Sequence, residues 1–108
     1  MTKEEALLLW LDEIGDNLYA YDFSGKKIKK TDYLMNNEVG WVISYIKPPK
    51  LGGAKTKGNI IIMHHRTEEE KGNNYPEFMI GHKKYTAFYE AKDDFYYIEE
   101  NLLEEDED

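Results

Sequence analysis

The chain has 108 residues, 41% of them apolar, no cysteine and a formal net charge of −8. That length suits one small domain, the missing cysteines remove any disulfide framework or thiolate metal site, and no run of roughly 18 apolar residues is present to cross a membrane. The charge is polarised: Glu99 to Asp108 hold seven acidic side chains and no basic one, which leaves 14 basic against 15 acidic over residues 1–98, while residues 26–57 hold eight lysines against Asp32 and Glu38.

Thr2-Lys3-Glu4-Glu5 has capping-box spacing and predicts a helix start. Leu7, Trp10, Leu11 and Ile14 then recur on one helical face, which Leu8 and Leu9 widen, and Gly15 is the expected stop. Glu4 and Glu5, without a cationic lead, give the expectation of no signal peptide. With the absent cysteines they point to a cytoplasmic protein.

Leu18 to Phe23 reads as a short aromatic strand, Ser24-Gly25 as a turn, and Lys26 to Lys30 as a basic segment around Ile28. Val42 to Ile46 is rich in β-formers and ends at Pro48-Pro49. Leu51 to Gly58 is a Gly/Lys loop, Asn59 to Met63 a short apolar strand, and Thr67 to Lys71 a short helix with Thr67 as N-cap. Phe78-Met79-Ile80 and Lys83 to Tyr89 predict a hairpin around Gly81-His82. Phe95 to Ile98 adds a short strand, and 99–108 is expected to be a solvated acidic tail. Tyr19 with Tyr21, and Tyr85 with Tyr89, share strand faces, which fits packing.

The order strand, Gly-rich loop, strand, helix carries a family resemblance. Gly40-Trp41-Val42-Ile43-Ser44-Tyr45-Ile46-Lys47-Pro48, then Gly52-Gly53, Gly58-Asn59-Ile60 and Thr67-Glu68-Glu69-Glu70-Lys71 resemble a pattern common among HNH endonucleases. That pattern reads G-W-x-x-D-H-I-x-P, K/S-G-G, D-N-L and T-N-x-x-K. Upstream, Tyr21-Asp22-Phe23-Ser24-Gly25-Lys26-Lys27-Ile28 and Tyr33 resemble the segments that precede G-W in bacterial and phage members. Downstream, Phe78 to Tyr85 resembles their F-x-x-N-G-K-K-Y hairpin. The resemblance spans about Trp10 to Tyr89. It implies an α+β fold: an N-terminal helix, a ββα-metal core and a C-terminal β-hairpin, as a single HNH-like domain over 1–98 with the acidic tail 99–108.

In that family a divalent ion sits between hairpin and helix, and an imidazole takes the proton of the attacking water. Matched by position, Ser44 stands at the acidic ligand, Tyr45 at the catalytic His, Asn59 at the loop Asn and Glu68 at the helix ligand. A neutral hydroxyl is a poor ligand for a divalent ion. Tyr has a reference pKa of about 10 and is a weak base at neutral pH. Base and first ligand are replaced together, so the expectation is a non-enzyme with no catalytic residue, no cofactor and no resident metal. Glu68 and His65 are the two side chains left as metal-ligand candidates. The two adjacent histidines, His64 and His65, are expected to point to opposite faces of an ending strand.

The candidate binding residues are Lys26, Lys27, Lys29, Lys30, Lys47, Lys50, Lys55, Lys57, His65, Arg66 and Lys71, which can meet phosphates or form a solvated basic face. The resemblance and the residues together lead to a non-catalytic HNH-fold binding protein with a protein partner and no membrane. An inhibitor of a host defence system that processes nucleic acids, from a phage or mobile element, is the form this takes. The alternatives are a residual metal-dependent HNH endonuclease, or a nucleotide or small-ligand binder in the former cleft.

Overall fold

The structure, a computed structural model, describes residues 1–102. These form two α-helices and seven strands in small antiparallel sheets. The chain divides into two compact units, Met1–Ser44 with Ile62–Glu69, and Tyr45–Ile61 with the chain from Glu70 on. No described helix is long and apolar enough to cross a membrane.

In the first unit, helix α1 (Lys3–Glu13) begins at the expected capping box. Glu5 N–H donates to the Thr2 hydroxyl and Thr2 N–H to the Glu5 carboxylate. Gly15 follows with φ 103°, so the stop also falls where expected. The buried stripe is Ala6, Leu9 and Trp10, whereas Leu11 is 49% exposed. Of the expected face, Trp10 is buried and Leu7 and Ile14 are half-buried, while Leu11, and Leu8 among the widening leucines, turn outward. Trp10 sets the rotation: its ring lies 5.0 Å from Trp41, and its Nε1–H donates to the Asn17 carbonyl at 3.0 Å. Positions 6, 9 and 10 then share the inward face, being three and four residues apart.

Strands β1 (Tyr19–Tyr21) and β2 (Lys27–Lys29) pair antiparallel with Ala20 opposite Ile28. Ile28 is fully buried, while Tyr19 and Tyr21 on the other face are exposed. The packing expected of these tyrosines is therefore not found; a two-stranded ribbon buries one face only. Trp41 is fully buried, with the Tyr33 ring 4.9 Å away. Gly40 precedes it because a Cβ there would fall onto the Met35 carbonyl oxygen. The glycine of the Gly-Trp pair is thus a requirement of close backbone approach.

Strand β3 (Trp41–Tyr45) pairs with β4 (Ile60–His64). Their flanks show the antiparallel register: Ile46 N–H donates to the Asn59 carbonyl, and His65 N–H to the Gly40 carbonyl. Helix α2 (His65–Lys71) follows β4 directly. It starts two residues before Thr67, which is therefore a buried first-turn residue and not the N-cap. His64 does the capping instead, its Nδ1 accepting from Arg66 N–H at 3.0 Å.

In the second unit, the loop between β3 and β4 contains 3-10 turns at Pro49–Leu51 and Lys57–Asn59. Strands β5 (Glu77–Ile80), β6 (Lys83–Glu90) and β7 (Phe95–Glu100) form an antiparallel meander. Ile80 pairs with Lys83, so Gly81-His82 is the expected two-residue turn, with Gly81 at φ 61°. Phe78, Ile80, Tyr85 and Ala87 are the buried side chains of one face of this sheet. Tyr89 is exposed although it shares that face with Tyr85. Strand β7 runs two residues past its expected end and takes Glu99 and Glu100 into the sheet. The rest of the expected acidic tail, 103–108, lies outside the described residues.

Candidate functional site

Each unit holds part of the residue set matched to the nuclease pattern. In the second, Tyr45 ends β3 and Asn59 ends the loop. Asn59 is fully buried. Its Oδ1 accepts from Lys47 N–H at 2.8 Å, and its Nδ2 donates to the carbonyls of Lys47 at 2.9 Å and Ala54 at 2.8 Å. Three of the four hydrogen bonds open to an amide are spent on the loop's own backbone. Gly53 allows this, since a Cβ there would strike the Lys47 carbonyl oxygen and come within 2.9 Å of Asn59 Nδ2.

Lys71 lies in the same unit and is 1% exposed. Its Nζ donates to the carbonyls of Ile46 at 2.9 Å and Asn74 at 3.3 Å and sits 5.2 Å over the Phe78 ring. Burial pushes its ammonium down to about 8. A lysine committed to backbone carbonyls in the interior is not a phosphate contact, so Lys71 leaves the binding set. Lys47 is half-buried, with Nζ 5.6 Å over the Tyr75 ring. Lys50, Lys55 and Lys57 are exposed on the loop.

In the first unit, Ser44 is half-buried on β3, and Glu68 is half-buried on α2. Between β1 and α2 stands a polar centre that sequence reasoning passed over. Asp22 is 7% exposed and accepts five hydrogen bonds. Oδ1 takes Ser24 N–H, Ser24 Oγ–H and Lys26 N–H; Oδ2 takes His64 N–H at 2.9 Å and Thr67 Oγ1–H at 2.7 Å. Burial alone would raise this carboxyl. The donors, Thr67 first and then His64, Ser24 and Lys26, outweigh it and hold Asp22 below the usual carboxylate range. The available signal was an Asp just ahead of Ser-Gly at a strand end, where an Asp side chain closes its own turn.

The histidines depart from expectation. His64 Nε2 donates to the Glu38 carbonyl at 2.9 Å, and His65 Nε2 to the Asn37 carbonyl at 2.7 Å. A carbonyl only accepts, and His64 Nδ1 already accepts from Arg66 N–H, so His64 is the neutral Nε2–H tautomer. The two rings lie 4.5 Å apart and do not point to opposite faces. The alternation fails because the strand ends at His64 and the helix begins at His65.

The donor set does not fit the divalent ion of the family pattern. Ser44 offers a neutral hydroxyl, and His65 turns Nε2 to a carbonyl. Among the described residues no three His, Asp or Glu side chains converge on one point. Of the basic candidates here, Lys27 and Lys29 lie 4.5 Å and 5.7 Å over the Tyr19 ring. Lys30 pairs with Asp16 at 3.4 Å, Lys26 Nζ lies 3.5 Å from Ser24 Oγ, and Arg66 is exposed on α2. The lysines at 26–30 belong to the first unit and those at 47–57 to the second.

Compared with known proteins, the chain matches no family model, no curated protein and no solved structure.

Proposed function

We propose that the protein is a non-catalytic, HNH-fold binding protein. The expected single HNH-like domain extends through β7 to Glu100, with the acidic residues 104–108 of the sequence beyond it. It works in the cytoplasm as an inhibitor of a nucleic-acid-processing defence enzyme, of the kind a phage or mobile element carries. The observation that carries this reading is the state of Asn59. In the nuclease pattern that residue serves a catalytic imidazole; here the matched position is Tyr45, and the Asn59 amide is consumed in holding its own loop. The loop scaffold persists without a base for it to orient, and Glu68 is the sole carboxylate at the matched positions. A frame maintained without its chemistry supports recognition as the retained role, by analogy of fold.

Incubation of plasmid DNA with the protein and Mg²⁺, Mn²⁺ or Ni²⁺ tests the loss of catalysis. No cutting is expected. Robust cutting that disappears in Glu68→Ala overturns the reading and restores the residual nuclease. Affinity capture from host lysate, identification of the partner and reconstitution of its inhibition with purified components tests the second half. A partner with no role in nucleic-acid processing removes the inhibitor assignment.

A further inference from the structure

The two faces of the β5–β6–β7 meander differ in an instructive way. One buries Phe78, Tyr85 and Ala87. The other carries Phe88, Phe95 and Tyr97, which remain 39%, 37% and 39% exposed. They form one cluster: Phe88 stacks on Tyr97 with centroids 5.4 Å apart, and Phe95 lies 5.9 Å from Tyr97. Phe88 and Tyr97 are direct cross-strand partners, so register fixes the cluster. Aromatic clusters left open on a sheet are where partners gain most contact area.

The surroundings give the partner's chemistry. Glu90 pairs with Phe95, and Glu99 pairs with Thr86, which places both carboxylates on the aromatic face. The turn between β6 and β7 carries Lys92, Asp93 and Asp94; the Asp94 carboxylate is turned to the Tyr89 hydroxyl on the opposite face, while Glu90 accepts Asp93 N–H on one oxygen. Lys84, on the same face, has its ammonium 3.4 Å from Glu77. Carboxylates around aromatic rings attract a flat cation that stacks while it pairs, which is the chemistry of arginine. The same carboxylates repel a phosphate backbone. A second copy of the chain is a poor source, because Arg66 is its one arginine and Lys27 and Lys29 already lie over Tyr19.

We propose that the face formed by Phe88, Phe95 and Tyr97, rimmed by Glu90 and Glu99, docks an arginine-rich surface of a partner protein. This deepens the binding-protein reading: such a surface is what a nucleic-acid enzyme presents to phosphates, and this face competes for it. The inference rests on that reading for the partner's identity, while its chemistry is tested on its own.

The experiment is fluorescence anisotropy with three labelled probes: an arginine–glycine peptide, a lysine–glycine peptide of equal charge, and an oligothymidylate. The full chain is expected to bind the arginine peptide in preference to the other two. Phe88→Ser, Tyr97→Ser and the Glu90→Gln/Glu99→Gln pair should each weaken it by about tenfold, with thermal melts confirming that the variants fold. Truncation after Leu103 should change it little. Amide shift mapping on the unsubstituted chain gives an independent reading, with perturbations expected within 86–90 and 95–99. The proposal is overturned by unchanged affinity in the aromatic variants, by loss confined to the truncation, by preference for the oligothymidylate, or by self-association that Tyr97→Ser abolishes. Plasmid cutting would remove the functional reading and leave the docking face standing; a flat response to the aromatic substitutions would do the reverse.

Discussion

Asn59 grips Lys47 at both polar groups of its backbone, taking the N–H at 2.8 Å on Oδ1 and giving Nδ2–H to the carbonyl at 2.9 Å. This side chain–backbone pair, twelve residues apart in sequence, closes the loop between β3 and β4. Asn59→Ala should strand three part-buried backbone groups and cost about 3 kcal/mol. Asn59→Asp should cost more, because it turns a carboxylate oxygen toward two carbonyls that now receive Nδ2–H bonds. Urea unfolding of both variants checks the order; a smaller loss in Asn59→Asp than in Asn59→Ala would overturn it.

Asp22 links β1 to α2 through Thr67 and the His64 backbone. Asp22→Asn keeps the shape but replaces an acceptor by a donor facing other donors, and should cost about 2–3 kcal/mol at neutral pH. The pH dependence has a definite sign. The folded carboxyl lies below its ordinary value, so its contribution is present above the unfolded pKa of about 3.9 and is lost as pH falls through the folded one. The gap between wild type and Asp22→Asn should therefore shrink below about pH 4. Denaturant midpoints measured across that range test it.

Lys71 has the opposite pH logic. Its folded pKa is about 8, against about 10.4 when unfolded. Between the two the unfolded chain holds more protons, so stability rises with pH there. Relative to Lys71→Met, the wild type should gain on the order of 3 kcal/mol from pH 7 to above pH 10. The neutral amine can still donate to Ile46 and Asn74. A difference that stays flat across this window would show that Lys71 does not carry a buried charge at neutral pH.

Gly53 and Gly25 separate collision from conformational strain. Gly25 has φ 94° and open space around it, so Gly25→Ala should cost about 1 kcal/mol for left-handed backbone. At Gly53 the new methyl would meet the Lys47 carbonyl and the Asn59 amide. Gly53→Ala should cost about 2–4 kcal/mol and, by amide shifts, disturb residues 47 and 59. Similar melting points for the two variants would remove the steric account of the Gly-Gly pair.

Local signals in the sequence hold where one residue type has one use. The capping box at Thr2, the stop at Gly15 and the Gly81-His82 turn all depend on neighbours a few residues away. The start of α2 is not legible in this way, because His64 as a cap is chemically less marked than Thr67, and Thr67 turned out to serve Asp22. Lys71 looked like surface charge; its burial depends on the carbonyls of Ile46 and Asn74, and only the former is far in sequence.

The amino-acid order alone determined the α+β class and most of the elements, β2 excepted, since these follow from residue chemistry and short-range periodicity. Folding in three dimensions decided which polar groups are consumed and which surface remains free. Asp22 and Asn59 became internal ties, and Lys71 went inside. Phe88, Phe95 and Tyr97 stayed in the open on a face that only cross-strand register assembles. Those outcomes depend on partners such as Phe88 and Tyr97, nine residues apart, and Asp22 and Thr67, 45 apart, and no local pattern encodes such contacts.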